Sequence, residues 1–487
     1  MINYKKTFSL LLGPLSFAII LLIDPPAGMS TQAKVVLAST AWVAIWWISE
    51  AIPIAATSLL PIVLFPLTGG LDLNSTTEAF GHRLIFLYIG GFIIAIAIEK
   101  WNLHRRIALN IISIIGVDLG RMVLGFMVAT AFLSMWISNT ATTVMMLPIG
   151  MAIVVQLGGT HESEGNTFGK VLMLAIAYSA SIGGIATLIG TPPNLVLAAM
   201  VQEFYGIDIG FAEWFLFGFP ISITLLAIAW MYLTRMAFPL KGQSFPGGRA
   251  EIQKQLKALG AISKQEKLVL IVFALTAFSW ISRSFLLSKL LPGIDDTIIA
   301  IAGAIILFMI PSGDKPGEKL LNWEAAVKIP WGVILLFGGG LSIAAGFIDS
   351  GLADWIGNRM TLLEGVSLIL ILLAVIGVVN FLTEITSNLA TTSMILPVMA
   401  ALAMAINVHP YALMVGAAVA ASCAFMLPVA TPPNAVVFGS GYLKIGDMIR
   451  VGFVLNIISI LIILLSVYFL LPVLWGVDLT NFPAELR

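Results

Sequence analysis

Charge is what this chain has least of. Asp, Glu, Lys and Arg supply 10% of it, against about 25% in a soluble domain, which excludes water as the main solvent. The 25 basic residues balance the 25 acidic ones, so no basic face for nucleic acid is implied. One cysteine, Cys423, excludes a disulfide framework; set in an apolar stretch, it reads as a small packing residue. The four histidines show no metal-ligand spacing and read as surface or interfacial. Missing too are a Gly-x-Ser-Gly with a membrane histidine, a His-Glu-x-x-His and a Gly-x-Gly-Asp pair, which argues against an intramembrane enzyme.

What the chain has is apolar length. Hydrophobic residues make up 59% of it, and runs of roughly 20 residues recur, each able to cross about 30 Å of hydrocarbon. Examples are 8–23, 34–52, 84–98, 214–232, 267–285 and 451–471. A barrel would alternate apolar and polar residues instead, and no such pattern is present. The reading is an all-α polytopic membrane protein of about eleven spans. No small-residue cleavage site follows the first run, which ends at Asp24-Pro25-Pro26, so it reads as a retained first span and not a signal peptide.

Basic residues set the expected orientation. Lys5 and Lys6 precede the first span; Lys100, His104, Arg105, Arg106 and Arg121 follow the fourth; Lys241, Arg249, Lys254, Lys257, Lys264 and Lys267 follow the sixth. The positive-inside rule puts all three groups in the cytoplasm. Residues 202–213 carry Glu203, Asp208 and Glu213 without a basic residue, and 349–364 is acidic; both are expected outside. The N-terminus is then cytoplasmic and the C-terminus outside. The expected divisions are 1–32 as a first transmembrane helix, 33–238 and 267–487 as two repeats, and 239–266, rich in Gly, Pro, Ser and Lys, as a cytoplasmic linker.

The repeats share a motif. Ser134-Met-Trp-Ile-Ser-Asn-Thr-Ala-Thr-Thr-Val-Met-Met-Leu-Pro148 matches Thr383-Glu-Ile-Thr-Ser-Asn-Leu-Ala-Thr-Thr-Ser-Met-Ile-Leu-Pro397 at eight of fifteen positions, at a constant offset of 249. The same offset pairs Gly90-Gly91 with Gly339-Gly340, while Thr191-Pro-Pro-Asn194 pairs with Thr431-Pro-Pro-Asn434 at 240. The nine residues of difference (249 − 240) fall in the polar stretch 158–169. An odd number of spans between equivalent elements makes the repeats inverted, an arrangement of secondary transporters with the site where the interruptions meet.

The motifs carry the chemistry. Ser138-Asn139-Thr140 and Ser387-Asn388 interrupt apolar stretches about 38 residues long, 121–158 and 365–405, which suit two re-entrant helical hairpins with polar tips at mid-membrane. Non-helical backbone is tolerated there only beside protein or a water-filled cavity. The Thr-Pro-Pro-Asn motifs break helices, since proline removes an amide and clashes with the preceding turn. Four interruptions are thus expected to converge. Helix N-terminal amides with Ser, Asn and Thr donors accept carboxylate oxygens without a fixed cation, whereas a buried Arg or Lys would cost about 2.5–3.5 kcal/mol. Glu384 in its apolar run reads as a structural hydrogen-bond or salt-bridge partner, with direct ion or proton coupling as the other reading, and Glu50 reads as an anchor near an interface.

Taken together, Trp46-Trp47-Ile48-Ser49-Glu50-Ala51-Ile52-Pro53, the paired Ser-Asn motifs and both Thr-Pro-Pro-Asn motifs resemble the divalent anion/sodium symporter family, the di- and tricarboxylate carriers, across nearly the whole chain. The resemblance implies a homodimer in which scaffold domains hold transport domains that move as an elevator. It implies a first sodium site at Ser134, Ser138, Asn139 and Gly190 and a second at Thr383, Thr386, Asn388 and Ala430. Substrate carboxylates would meet Ser138, Asn139, Thr140 and Thr191 on one side and Ser387, Asn388 and Thr431 on the other. Leu389 departs from the pattern, standing where many members carry a hydroxyl, and leaves open a different or bulkier acid. The expected function is sodium-coupled symport of C4-dicarboxylates such as succinate, or of tricarboxylates, in the plasma (inner) membrane with sodium as coupling ion and no organic cofactor. A carboxylate exchanger, a proton-coupled carrier and a sulfate transporter are the alternatives; a channel fits broken inverted repeats less well.

Overall fold

The computed structural model describes residues 4–116, 118–158, 162–240, 246–313, 317–360 and 365–486. Lys241, residues 361–364 and residues 159–161 of the polar insertion lie outside the described residues, as do the side chains of Lys5 and Lys6. Among the described residues the named regular elements are all helices, and an isolated bridge joins Pro311 and Lys319.

The first half runs through α1 (Tyr4–Leu22), α2 (Thr31–Ser49), α3 (Leu60–Thr68), α4 (Arg83–Lys100), α5 (Leu103–Ile115), α6 (Leu119–Ser134), α7 (Asn139–Gly158), α8 (Glu162–Gly184), α9 (Pro192–Tyr205) and α10 (Phe211–Met231). The second half continues with α11 (Lys264–Ser282), α12 (Asp296–Met309), α13 (Trp331–Asp349), α14 (Leu352–Met360), α15 (Leu368–Leu382), α16 (Asn388–Ala405), α17 (Pro410–Ala421), α18 (Pro432–Phe438) and α19 (Ile445–Leu465). Among the described residues eight helices are long and apolar enough to cross a membrane, and six shorter apolar ones accompany them.

Helix starts follow local chemistry. Asp72, Asp118, Ser30 and Ser263 accept backbone amides of the first turns that follow them, satisfying donors that a helix leaves unpaired. His82 and His409 do the same: Nδ1 of His82 accepts from the Leu84 amide at 3.3 Å, and that of His409 from Tyr411 at 3.2 Å. His409 is buried, whereas its sequence context implied a surface or interfacial position. Glu50, expected as an anchor, is exposed at the end of α2 in a left-handed conformation (φ 47°).

Helix α8 is the axis. Its apolar window is 89% buried, against 28% for the window from Ile445 to Trp475, so the first is surrounded by protein and the second faces lipid. Both α6 and α7 pack along α8, and α15 and α16 pack along α17. Helices α9 and α18 continue α8 and α17 beyond unwound segments. Each unwound segment is pressed by a glycine. A Cβ on Gly218 of α10 would sit 2.5 Å from the Ile185 carbonyl, and one on Gly452 of α19 would collide with the Phe425 carbonyl. Ile185 and Phe425 are equivalent at the offset of 240, so small residues let helix backbones approach both breaks in the same way.

The amphipathic α5 is basic and tied to the linker region. Arg106 bonds Glu266 at 2.7 Å and reaches the carbonyls of Leu259, Gly260 and Ala261 at 3.0–3.3 Å.

Candidate functional site

Both hairpin tips are built from one plan. In the first, α6 ends at Ser134 and α7 begins at Asn139. The Ser134 hydroxyl donates to the Ala180 carbonyl of α8 at 2.7 Å and touches the Asn139 amide. In the orientation that satisfies its neighbours, that amide donates to the carbonyls of Ala180 at 3.2 Å and Gly190 at 3.3 Å. In the second, the Thr383 hydroxyl donates to Ala421 of α17 at 3.0 Å and to Oδ1 of Asn388 at 2.8 Å. Each cluster therefore gathers a hydroxyl, an asparagine amide and a carbonyl from the helix alongside. The hydroxyl and carbonyl oxygens of both clusters, with Oδ1 of Asn388 in the second, are neutral ligands of the kind a sodium ion takes at an unwound helix.

The structure thus brings Ser134, Asn139 and Gly190 together, and Thr383 with Asn388. The Thr386 hydroxyl turns elsewhere, donating to the Leu382 carbonyl at 2.9 Å and contacting the Thr391 hydroxyl; its backbone is what it can offer the second cluster. Ala430 is buried in the unwound segment before α18, its amide on the Leu427 carbonyl at 3.2 Å.

Beside each cluster lies a helix N-terminus. Ser138 caps α7 by accepting the Ala141 amide at 3.2 Å, which leaves the first-turn amides of Asn139 and Thr140. Ser387 makes no side-chain cap on α16, leaving those of Asn388, Leu389 and Ala390. Ser138, Asn139, Thr140, Ser387 and Asn388 are half-buried. Among the described residues the Thr140 and Ser387 hydroxyls and Nδ2 of Asn388 have no protein partner, so they are donors free for an anion. The Leu389 side chain is buried and contributes no donor. Thr191 and Thr431 are the buried N-caps of α9 and α18.

The halves interlock at the breaks. Helix α9 packs on α16 of the other hairpin, and α18 packs on α7 and α8; the Tyr178 and Phe425 rings meet edge to face at 5.2 Å. A cavity of about 300 Å³ opens beside the first tip, lined by Glu99, Asn102, His104, Ile137, Ala141 and Thr142 among others.

The asparagines of the Thr-Pro-Pro-Asn motifs have a role that the sequence did not assign. Asn194 donates to the carbonyls of Gly184, Ile185 and Thr187, and Asn434 to those of Ala424 and Leu427, all within 3.3 Å. The last residue of each Thr-Pro-Pro-Asn motif is thus a strut for its own unwound segment. Glu384 is buried and accepts the amides of Phe425, Met426 and Leu427 at 2.8–3.2 Å and Nδ2 of Asn456 at 2.7 Å. It pins the second unwound segment, the structural role its isolation in an apolar run had favoured.

The comparisons agree with this architecture. The solved structures of Neisseria gonorrhoeae MtrF, titled as one of a class of antimetabolite efflux pumps, and of the Alcanivorax borkumensis YdaH transporter share the fold. Their TM-scores are 0.56 and 0.53 at 13% and 15% identity, over 91% and 90% of this chain and 95% and 98% of theirs. Two curated relatives, each called sodium-dependent dicarboxylate transporter SdcS, are 48% identical. The Staphylococcus saprophyticus protein matches over 100% of this chain and 95% of its own length, and the Staphylococcus aureus protein over 99% and 95%. Residues 4–477 match the family described as the sodium:sulfate symporter transmembrane region, and the chain belongs to that family.

Proposed function

We propose that this chain is a secondary transporter that couples inward sodium movement to uptake of a C4-dicarboxylate. The observation that carries the reading is the pair of equivalent oxygen clusters, Ser134–Asn139–Ala180 and Thr383–Asn388–Ala421, each next to a helix N-terminus with free donors. The oxygens suit sodium and the donors suit carboxylate, so cation and anion neutralise each other across each tip. Relatives at 48% identity named as sodium-dependent dicarboxylate transporters support the substrate and the ion.

In this reading Ser138, Asn139, Thr140 and Thr191 face one carboxylate and Ser387, Asn388 and Thr431 the other. Ser134, Ser138, Asn139 and Gly190 hold one sodium; Thr383, Thr386, Asn388 and Ala430 hold the second. The repeats, 33–238 and 267–487, follow a first helix within 1–32 and flank a cytoplasmic linker at 239–266. Eleven spans with two re-entrant hairpins form scaffold and transport domains of a homodimer in the plasma membrane, and the transport domain moves as an elevator. Each net charge moved inward is worth about 2.3 kcal/mol per 100 mV, so more sodium charges than substrate charges let the membrane potential drive uptake.

Labelled succinate uptake into proteoliposomes tests the coupling: replacing sodium by choline is expected to reduce uptake at least tenfold, and unchanged uptake rejects symport. Sulfate competing as strongly as succinate would shift the substrate assignment. Orientation has its own test, made clean because the native Cys423 is buried. A cysteine replacing the C-terminal Thr480 is expected to react with an impermeant thiol reagent in intact cells, and protection until the cells are opened would invert the topology. Leu389 tests the substrate side. Leu389→Thr adds a hydroxyl beside the α16 amides and is expected to tighten succinate binding by about 1 kcal/mol, roughly fivefold in KM; an unchanged or raised KM would place that side chain away from the substrate.

A further inference from the structure

The two clusters share a hydroxyl, an asparagine side chain and a helix carbonyl, and differ more sharply one residue further along. At the offset of 249 the equivalent of Glu384 is Met135. Glu384 is 3% exposed and follows Thr383 directly. Its five contacts all come from N–H groups, the pattern of a carboxylate anion, and among the described residues no basic side chain pairs with it. Backbone dipoles therefore hold the charge in place and compensate it in part, with no paired cation to neutralise it among the described residues. The segment it grips lies between Ala421, which accepts the Thr383 hydroxyl, and Ala430. In the first half the same tie is neutral: the Thr187 hydroxyl donates to the Met135 carbonyl at 2.5 Å.

We propose that the two sodium pockets are unequal: the second binds its cation more tightly and fills first, because a fixed negative charge at Glu384 stands behind it and only a thioether stands behind the first. The proposal rests on the symport reading above. At an effective dielectric of about 20, a unit charge at the distance of neighbouring residues changes the affinity for a monovalent cation by about ten- to fiftyfold. Sodium binding then has a built-in order, with the second hairpin set before the first. Glu384 acts as a positioning residue, holding its segment and biasing the pocket without touching substrate.

Sodium titration of the purified, substrate-free protein, followed by calorimetry or tryptophan fluorescence, tests this. Two phases are expected, separated by tenfold or more. Thr383→Ala removes the tighter phase and leaves the weaker; Ser134→Ala does the reverse. Glu384→Gln weakens the tighter phase at least tenfold with the weaker unmoved, and Glu384→Asp, which keeps the charge, holds it within a few fold. A single class of sites, a tighter phase lost with Ser134→Ala, or a tighter phase unmoved in folded Glu384→Gln overturns the proposal. If Glu384→Gln does not fold, the Ser134 and Thr383 pair decides alone. Absence of any sodium binding together with sodium-independent uptake would instead overturn the symport reading itself.

Discussion

Asn388→Ala is expected to lower sodium-dependent succinate uptake at least a hundredfold while the protein stays folded, and Asn139→Ala to do the same. Asn139 ties its tip to the Ala180 and Gly190 carbonyls, and Asn388 has two jobs at one position. Oδ1 of Asn388 accepts the Thr383 hydroxyl inside the oxygen cluster, and Nδ2 is free toward the half-buried tip. Alanine removes a ligand from the cation and a donor from the carboxylate. A hydrogen bond to a charged partner is worth about 1.5–3 kcal/mol, so two together amount to about 3–6 kcal/mol, or two to four decades. Uptake in proteoliposomes at matched protein, with circular dichroism as the folding control, makes the measurement. Retained uptake in both variants would remove the tips from the transport path.

The second large effect concerns stability. Glu384→Leu is expected to destabilise the fold by about 3–5 kcal/mol, seen as a melting temperature lower by roughly 5 °C or more in detergent or as loss of monodisperse protein. Leucine fits the volume but leaves the amides of Phe425, Met426 and Leu427 and the Asn456 side chain buried without an acceptor. Each such group costs about 1–3 kcal/mol. Its counterpart Met135 has no polar side-chain task, so Met135→Leu is expected to change the melting temperature little. Equal effects at the two positions would show that the amide nest is not what holds the second unwound segment.

The contrast between these residues marks how far a sequence reaches. Ser134 with Asn139 and Thr383 with Asn388 stood out because they repeat at one offset within apolar runs, where polar residues are costly unless they have work to do. The Thr-Pro-Pro-Asn breaks stood out because proline leaves no alternative for the backbone. Ala180 and Ala421 could not stand out, since every residue has a carbonyl and only the path of α8 and α17 aims these two at the hydroxyls. The Thr386 hydroxyl was equally hidden: its type suits a cation site, but helix geometry turns it back onto Leu382.

Sequence by itself determined the solvent, the helical class and the duplicated motifs, because apolar run length, charge scarcity and repetition at a constant offset are properties of the chain before it folds. Tertiary structure alone decided which carbonyls complete the clusters, how α9 and α18 cross onto the opposite hairpins, and that Glu384 is held by amides and not by a basic side chain. The physical reason is that backbone donors and acceptors are identical at every position, so only their placement by packing gives any one of them a role.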